Sequence, residues 1–129
     1  MDKWIVEPLK KVNDIAFGMS REEARKIMNR EYSEFKKSKF SKNTTDDFGN
    51  CHIFYNIDNK VEAMEVFSAV EVEIYGKRIF PDGFSELEKI VNDLKDEDGC
   101  YISTAMSIGV TMDGNTMDSI LFGCIGYYS

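Results

Sequence analysis

The strictest alternation of apolar and polar positions lies at Val70, Val72 and Ile74, with Glu71, Glu73 and Tyr75 between them. A two-residue period puts the first set on one face of a strand and the second on the other. The spacing predicts a strand over 69–75, a tight turn at Gly76-Lys77 and a return through Arg78-Ile79-Phe80, ended by Pro81-Asp82-Gly83. Residues 51–67 predict a second hairpin. CHIFYN is aromatic and β-branched, Asp58-Asn59 tolerates left-handed turn geometry, and VEAMEVFS alternates. A third antiparallel pair, 100–112 and 117–128, brackets Asp113-Gly114. Met106, Ile108 and Val110 alternate on one arm, and Ile120, Phe122 and Cys124 on the other.

Two segments change to a helical period. Ser20 is a good N-cap with Glu23 three residues on, and Ala24, Ile27 and Met28 form an apolar stripe. A helix is predicted over 20–30, with Arg21, Glu22, Arg25 and Lys26 on its wet face. Ser85 and Glu88 repeat the capping signal. Phe84, Leu87, Ile90, Val91 and Leu94 form a longer stripe, which predicts a helix over 84–95. Residues 1–18 admit two readings. Leu9, Val12 and Ile15/Ala16 have helical spacing behind Pro8, while Ile15 and Phe17 fit a short extended entry. Residues 31–50 are polar, with room for a short strand near 32–37, and SKNTTDDFGN reads as a loop. The expected class is α+β: a mainly antiparallel, curved sheet of about five or six strands with two main helices packed on one face. The opposite face is then open, and an open sheet face or edge is a natural binding surface.

Composition adds scale and sign. A chain of 129 residues, 43% hydrophobic, is one domain with one core, taken as 1–129. The net charge of −7 is unevenly spread. Residues 1–45 hold eleven Lys/Arg against seven Asp/Glu, a net of +4, and residues 46–129 hold five against sixteen, a net of −11. Such a surface repels phosphate backbones, which argues against direct nucleic-acid binding, and attracts a basic protein. No apolar run approaches the ~20 residues of a membrane span, and MDKWIVEPLKK lacks the apolar core of a signal peptide, so the expected compartment is the cytoplasm. Cys51, Cys100 and Cys124 are odd in number and form no CxxC pair, which fits free thiols.

The candidate chemistry is thin. His52 is the sole histidine, and adjacent strand residues point to opposite faces, so Cys51 does not meet it. A dyad with Cys100 or Cys124 is left open. The four Cys/His residues fit no zinc spacing. In the acidic run Asp93–Gly99 the glycine register puts Leu94 where a calcium loop needs a carboxylate. The glycines form no phosphate-binding fingerprint. Glu62, Glu65, Glu71 and Glu73 read as exposed strand carboxylates before an acid/base pair. The expectation is therefore no catalytic set, no cofactor and no metal: a binding protein and not an enzyme. The alternative is a small enzyme or ligand-binding domain with a pocket near His52.

The stretch FGMSREEARKIM, the strand pair around YNIDNKVEAMEVF, then AVEVEIYGKRIF, FSELEKIVNDL and SIGVTMDGNTMDSILFG together resemble small bacterial immunity proteins of polymorphic-toxin and contact-dependent growth inhibition systems. The resemblance covers most of the chain as a layout. It implies a cytosolic protein that binds and neutralises one cognate toxin C-terminal domain, often a basic nuclease, with no shared catalytic residues. Charge alone then nominates the partner-binding carboxylates: Asp46 and Asp47 on the polar loop, Glu71 and Glu73 on the outward side of a strand.

Overall fold

The structure, a computed structural model, describes residues 2–67 and 69–129. In chain order its first half holds β1 (Asp2–Glu7), β2 (Lys11–Val12), β3 (Ile15–Ala16), α1 (Arg21–Met28), β4 (Ser33–Phe35), β5 (Thr45–Asp47) and β6 (Cys51–Tyr55). The second half holds β7 (Val61–Phe67), β8 (Val70–Ile74), β9 (Lys77–Phe80), α2 (Phe84–Ile90), β10 (Lys95–Glu97), β11 (Cys100–Ser103), β12 (Ile108–Asp113) and β13 (Thr116–Gly123). This overturns the expected α+β layout. Strand far outweighs helix among the described residues, in one sheet of five strands ordered β3-β2-β1-β8-β9 and one of eight ordered β10-β11-β12-β13-β7-β6-β5-β4. The two helices are short, eight and seven residues.

The first correction lies at the N-terminus. β1 buries Trp4 and Val6 and exposes Lys3, Ile5 and Glu7, a two-residue period. Leu9 and Asn13 then take positive φ and fold the chain back twice into β2 and β3. The helix-like spacing of Leu9, Val12 and Ile15 is thus the spacing of two tight turns. β1 pairs in parallel with β8, Trp4 opposite Val72, across more than sixty residues of chain. No local pattern announces such a pairing. The second correction is the loop SKNTTDDFGN, whose Thr45–Asp47 pairs with β6.

The third is the helix expected over 84–95. It starts after Gly83, so Ser85 lies inside the helix and no side chain caps it. It stops at Ile90, because Val91 is extended. Val91 is still buried in the core and Leu94, beyond a turn, packs partly buried against it. Asp93 explains the change: its carboxylate accepts the Ser103 hydroxyl at 2.5 Å and the Ala105 amide at 3.1 Å, which draws 93–97 alongside β11. The first helix follows its cap: the Glu23 amide donates to Ser20 Oγ at 3.2 Å, and Asn29 closes the helix in left-handed geometry.

One core joins both sheets. Trp4, Val72, Ile74 and Phe80 from the smaller pack with Ile53, Met64, Ile120 and Phe122 from the larger. Leu87 of α2 and Ala24 of α1 are buried in the same core, on that side of the eight-stranded sheet. Among the described residues, the opposite face of the large sheet carries no helix.

Candidate functional site

That helix-free face is assembled by register. Asp47, His52, Glu65 and Leu121 stand side by side across β5, β6, β7 and β13. Thr45, Phe54, Ala63 and Gly123 form the next row, and Phe67, Ser119, Thr111 and Cys100 the row on the other side. Directly opposed residues share a face, so these rows make one surface. Its inward neighbours Cys51, Ile53, Met64 and Val66 are all core.

His52 is held edge-on between two rings, Phe35 at 4.9 Å and Phe67 at 4.7 Å between centroids. Its Nε2 lies 3.5 Å from Asp47 Oδ1. Glu65 beside it accepts the Ser119 hydroxyl at 2.9 Å. Register also settles the two dyads left open. Cys100 is four strands from His52, about 19 Å at the usual strand spacing. Cys124 is two strands away and three residues further along, about 14 Å. Cys51 points into the core, where burial pushes its thiol up to about 12.

The C-terminal turn folds back onto the same face. A Cβ on Gly123 would lie 2.6 Å from Tyr127 Cβ, and one on Gly109 would collide with the Tyr128 hydroxyl. The two glycines are therefore what lets this tyrosine pair lie against the sheet backbone. Lys37 reaches over Phe54 at 4.4 Å and donates to Tyr127 Oη at 3.4 Å. Burial raises both tyrosines, Tyr128 to about 12, with Glu65 adding to the effect. Beyond Phe54 a cleft of about 350 Å³ opens, lined by Lys37, Phe40, Lys42, Asn43, Ile57 and Glu62 among others. It does not take in His52.

The four nominated carboxylates part company. Asp46 is fully buried, and the loop reading that placed it on the surface fails because β5 turns it inward. Its Oδ2 accepts from Arg25 Nε and from the Tyr55 hydroxyl, each at 2.8 Å, and its Oδ1 from Arg25 Nη2 at 2.8 Å. Asp47 is half-exposed and also accepts the Gly49 amide at 2.8 Å. Glu71 and Glu73 do point outward, as the alternation predicts, but from the smaller sheet. Glu71 pairs with Arg78 at 3.3 Å. Glu73 Oε2 lies 2.5 Å from Lys3 Nζ, an ion pair without an aligned hydrogen bond. The structure brings Asp46 and Asp47 together on one strand, facing opposite ways, and puts Glu71 and Glu73 on a different sheet.

Sequence reasoning also missed the inward arginine. Arg21 is buried, with its guanidinium 4.1 Å over the Tyr55 ring and donating to the Thr44 carbonyl at 2.8 Å and Asn43 Oδ1 at 3.0 Å. A signal was present: Arg21, Ala24, Arg25 and Met28 have the i, i+3, i+4, i+7 spacing of one helix face.

Among the described residues no group of three or more His, Cys, Asp or Glu side chains is placed to hold a metal ion. No helix among them is long and apolar enough to cross a membrane. Comparison of the chain with protein families, with curated proteins and with solved structures finds no match.

Proposed function

We propose that this chain is an immunity-type binding protein that neutralises a cognate toxin domain by direct contact, with the helix-free face of the eight-stranded sheet as its recognition surface. One observation carries the reading: half-exposed aromatic side chains and carboxylates alternate across that face. Phe35, His52, Phe67, Tyr127 and Tyr128 are each partly exposed, with Asp47, Glu62 and Glu65 among them. Protein interfaces favour this mixture, in which rigid rings supply contact area at low entropy cost and surrounding charges set register. The carboxylates, and the net −11 beyond residue 45, suit a basic partner.

The test begins with the genes on either side of this one: a toxin domain encoded there is co-expressed with the chain and mixed with it as purified proteins, and the lack of any such domain counts against the reading. A stable complex and rescued growth support the reading. A Glu65→Lys/Asp47→Lys variant that stays folded and loses rescue locates the surface. A toxin that neither binds nor is neutralised overturns the reading.

A further inference from the structure

A second feature lies at the other side of the molecule, where the sheets meet at one end of the core. A cavity of about 160 Å³ opens there between β1, the β2–β3 turn and the end of α1. Its walls are apolar: Trp4, Ile15, Met28 and Met64. Asn50 also lines it, and Asn50 Oδ1 is buried with no hydrogen-bond partner. Leaving a buried amide oxygen unpaired is costly, so it is a poised acceptor for an incoming donor. Asp2 and Asp14 line the same cavity, both are exposed, and neither has an ion-pair partner among the described residues.

We propose that this cavity receives a basic side chain, arginine or lysine, presented by the partner protein. The aliphatic stem fits against Ile15, Met28 and Met64. The cationic head faces the Trp4 indole, the best of the aromatic cation platforms. One of its N–H groups satisfies Asn50 Oδ1, and Asp2 and Asp14 supply opposite charge at the mouth. Arg30 also borders the cavity and opposes the cation. Its Nη2, however, lies 3.8 Å from where a Cβ on Gly49 would sit, beside the neighbouring cleft of residues 30–33 and 47–49. The balance is two carboxylates without an ion-pair partner among the described residues and one unpaired acceptor against one guanidinium. The source of the side chain rests on the function proposed above; the chemistry of the cavity does not.

Trp4 is the only tryptophan in the chain, so its fluorescence reports occupancy directly. The probes are N-acetylarginine amide and its neutral isostere N-acetylcitrulline amide. The expected result is a saturable fluorescence change with the arginine probe and roughly tenfold weaker binding of the citrulline probe. Asp14→Asn and Asn50→Ala should each weaken the arginine probe by roughly tenfold, while Glu88→Gln on α2 leaves it unchanged. Asp14 is exposed, so its variant keeps the test valid if Asn50→Ala misfolds. No saturable change, equal binding of the two probes, or parent-like binding by both variants overturns the proposal. Loss of toxin neutralisation has a separate readout. A chain that binds the arginine probe as described but fails to neutralise the toxin sustains the cavity and overturns the immunity reading.

Discussion

Arg25 and Asp46 meet side-on, Nε to Oδ2 and Nη2 to Oδ1, both at 2.8 Å. This fork-to-fork pair joins α1 to β5, two elements with polar, unremarkable sequences, and the Tyr55 hydroxyl adds β6 at 2.8 Å. Arg25 also lies 4.4 Å over the Tyr32 ring, which extends the contact toward β4. A fully buried carboxylate needs all of this, because an unpaired charge in the interior is severely penalised. Asp46 is thus the buried link between the large sheet and the first helix, beside the ion pair of Arg21 with Glu34 at 3.1 Å on the edge strand.

Replacing Asp46 by Ala should therefore be strongly destabilising, by about 3–5 kcal/mol, since it leaves Arg25 and Tyr55 without their acceptor. That is a large share of the 5–15 kcal/mol typical of a whole domain. Asp47→Ala, one residue away on the wet face, should cost about 0–1 kcal/mol. Urea unfolding of the two variants beside the parent checks both. Equal, small losses would refute the structural role given to Asp46.

The same pair shows what was legible in the chain. Elements set by local rules were readable: the Ser20 cap, the β6–β7 and β8–β9 hairpins and the Asp113-Gly114 turn. Elements set by distant partners were not. β1 acquires its place from β8, and β5 from β6, so their sequences look ambiguous or polar alone. A stripe of five apolar residues also misled. Phe84 to Leu94 reads as one helix, yet Asp93 diverts the chain toward Ser103, and Val91 and Leu94 meet the core from outside the helix. In the candidate site, Asp47 and Glu65 were legible as exposed carboxylates by charge alone. The aromatic face was not, because His52, Phe35 and Phe67 become neighbours only through register.

Cysteine reactivity separates the core from the surface. Burial holds Cys51 protonated up to about pH 12 and shields it from reagents, while Cys100 and Cys124 are partly exposed. Titration with a chromogenic disulfide at pH 8 should give at most two fast thiols in the folded protein and a third only after denaturant is added. A Cys51 that reacts at the rate of the others would contradict its place in the core.

Alkaline pH should release the tyrosine turn. Tyr128 is raised to about 12 by burial, against about 10 for a free phenol. A raised folded-state value means that the native state binds the proton more tightly. This contribution to stability is complete below pH 10 and is lost as pH climbs through 12. Absorbance at the phenolate band should show Tyr128 ionising late, with a parent-minus-Tyr128→Phe difference centred near pH 12. The variant should lose stability less steeply between pH 10 and 12. A midpoint near 10 would mean that the turn does not cover the sheet.

Charge reversal should rank the binding carboxylates by face. Asp46 is spent on Arg25 and Tyr55, so it contributes nothing to long-range attraction that a folded variant could reveal. Glu71 and Glu73 are half-neutralised by Arg78 and Lys3 on the outer face of the small sheet. Asp47, Glu62 and Glu65 lie on the aromatic face, where a basic partner would approach them next to rings that exclude water. Attraction between exposed charges fades over ~10 Å at 0.1 M salt, so association with the basic partner proposed above should slow as salt rises. Asp47→Lys with Glu65→Lys should slow association and raise dissociation, and Glu71→Lys with Glu73→Lys should change association alone and by less. Stopped-flow rates over a salt series, for parent and both variants, distinguish these outcomes. Were the Glu71/Glu73 variant the one to lose the complex, the recognition surface would belong to the five-stranded sheet and the aromatic face would be discarded.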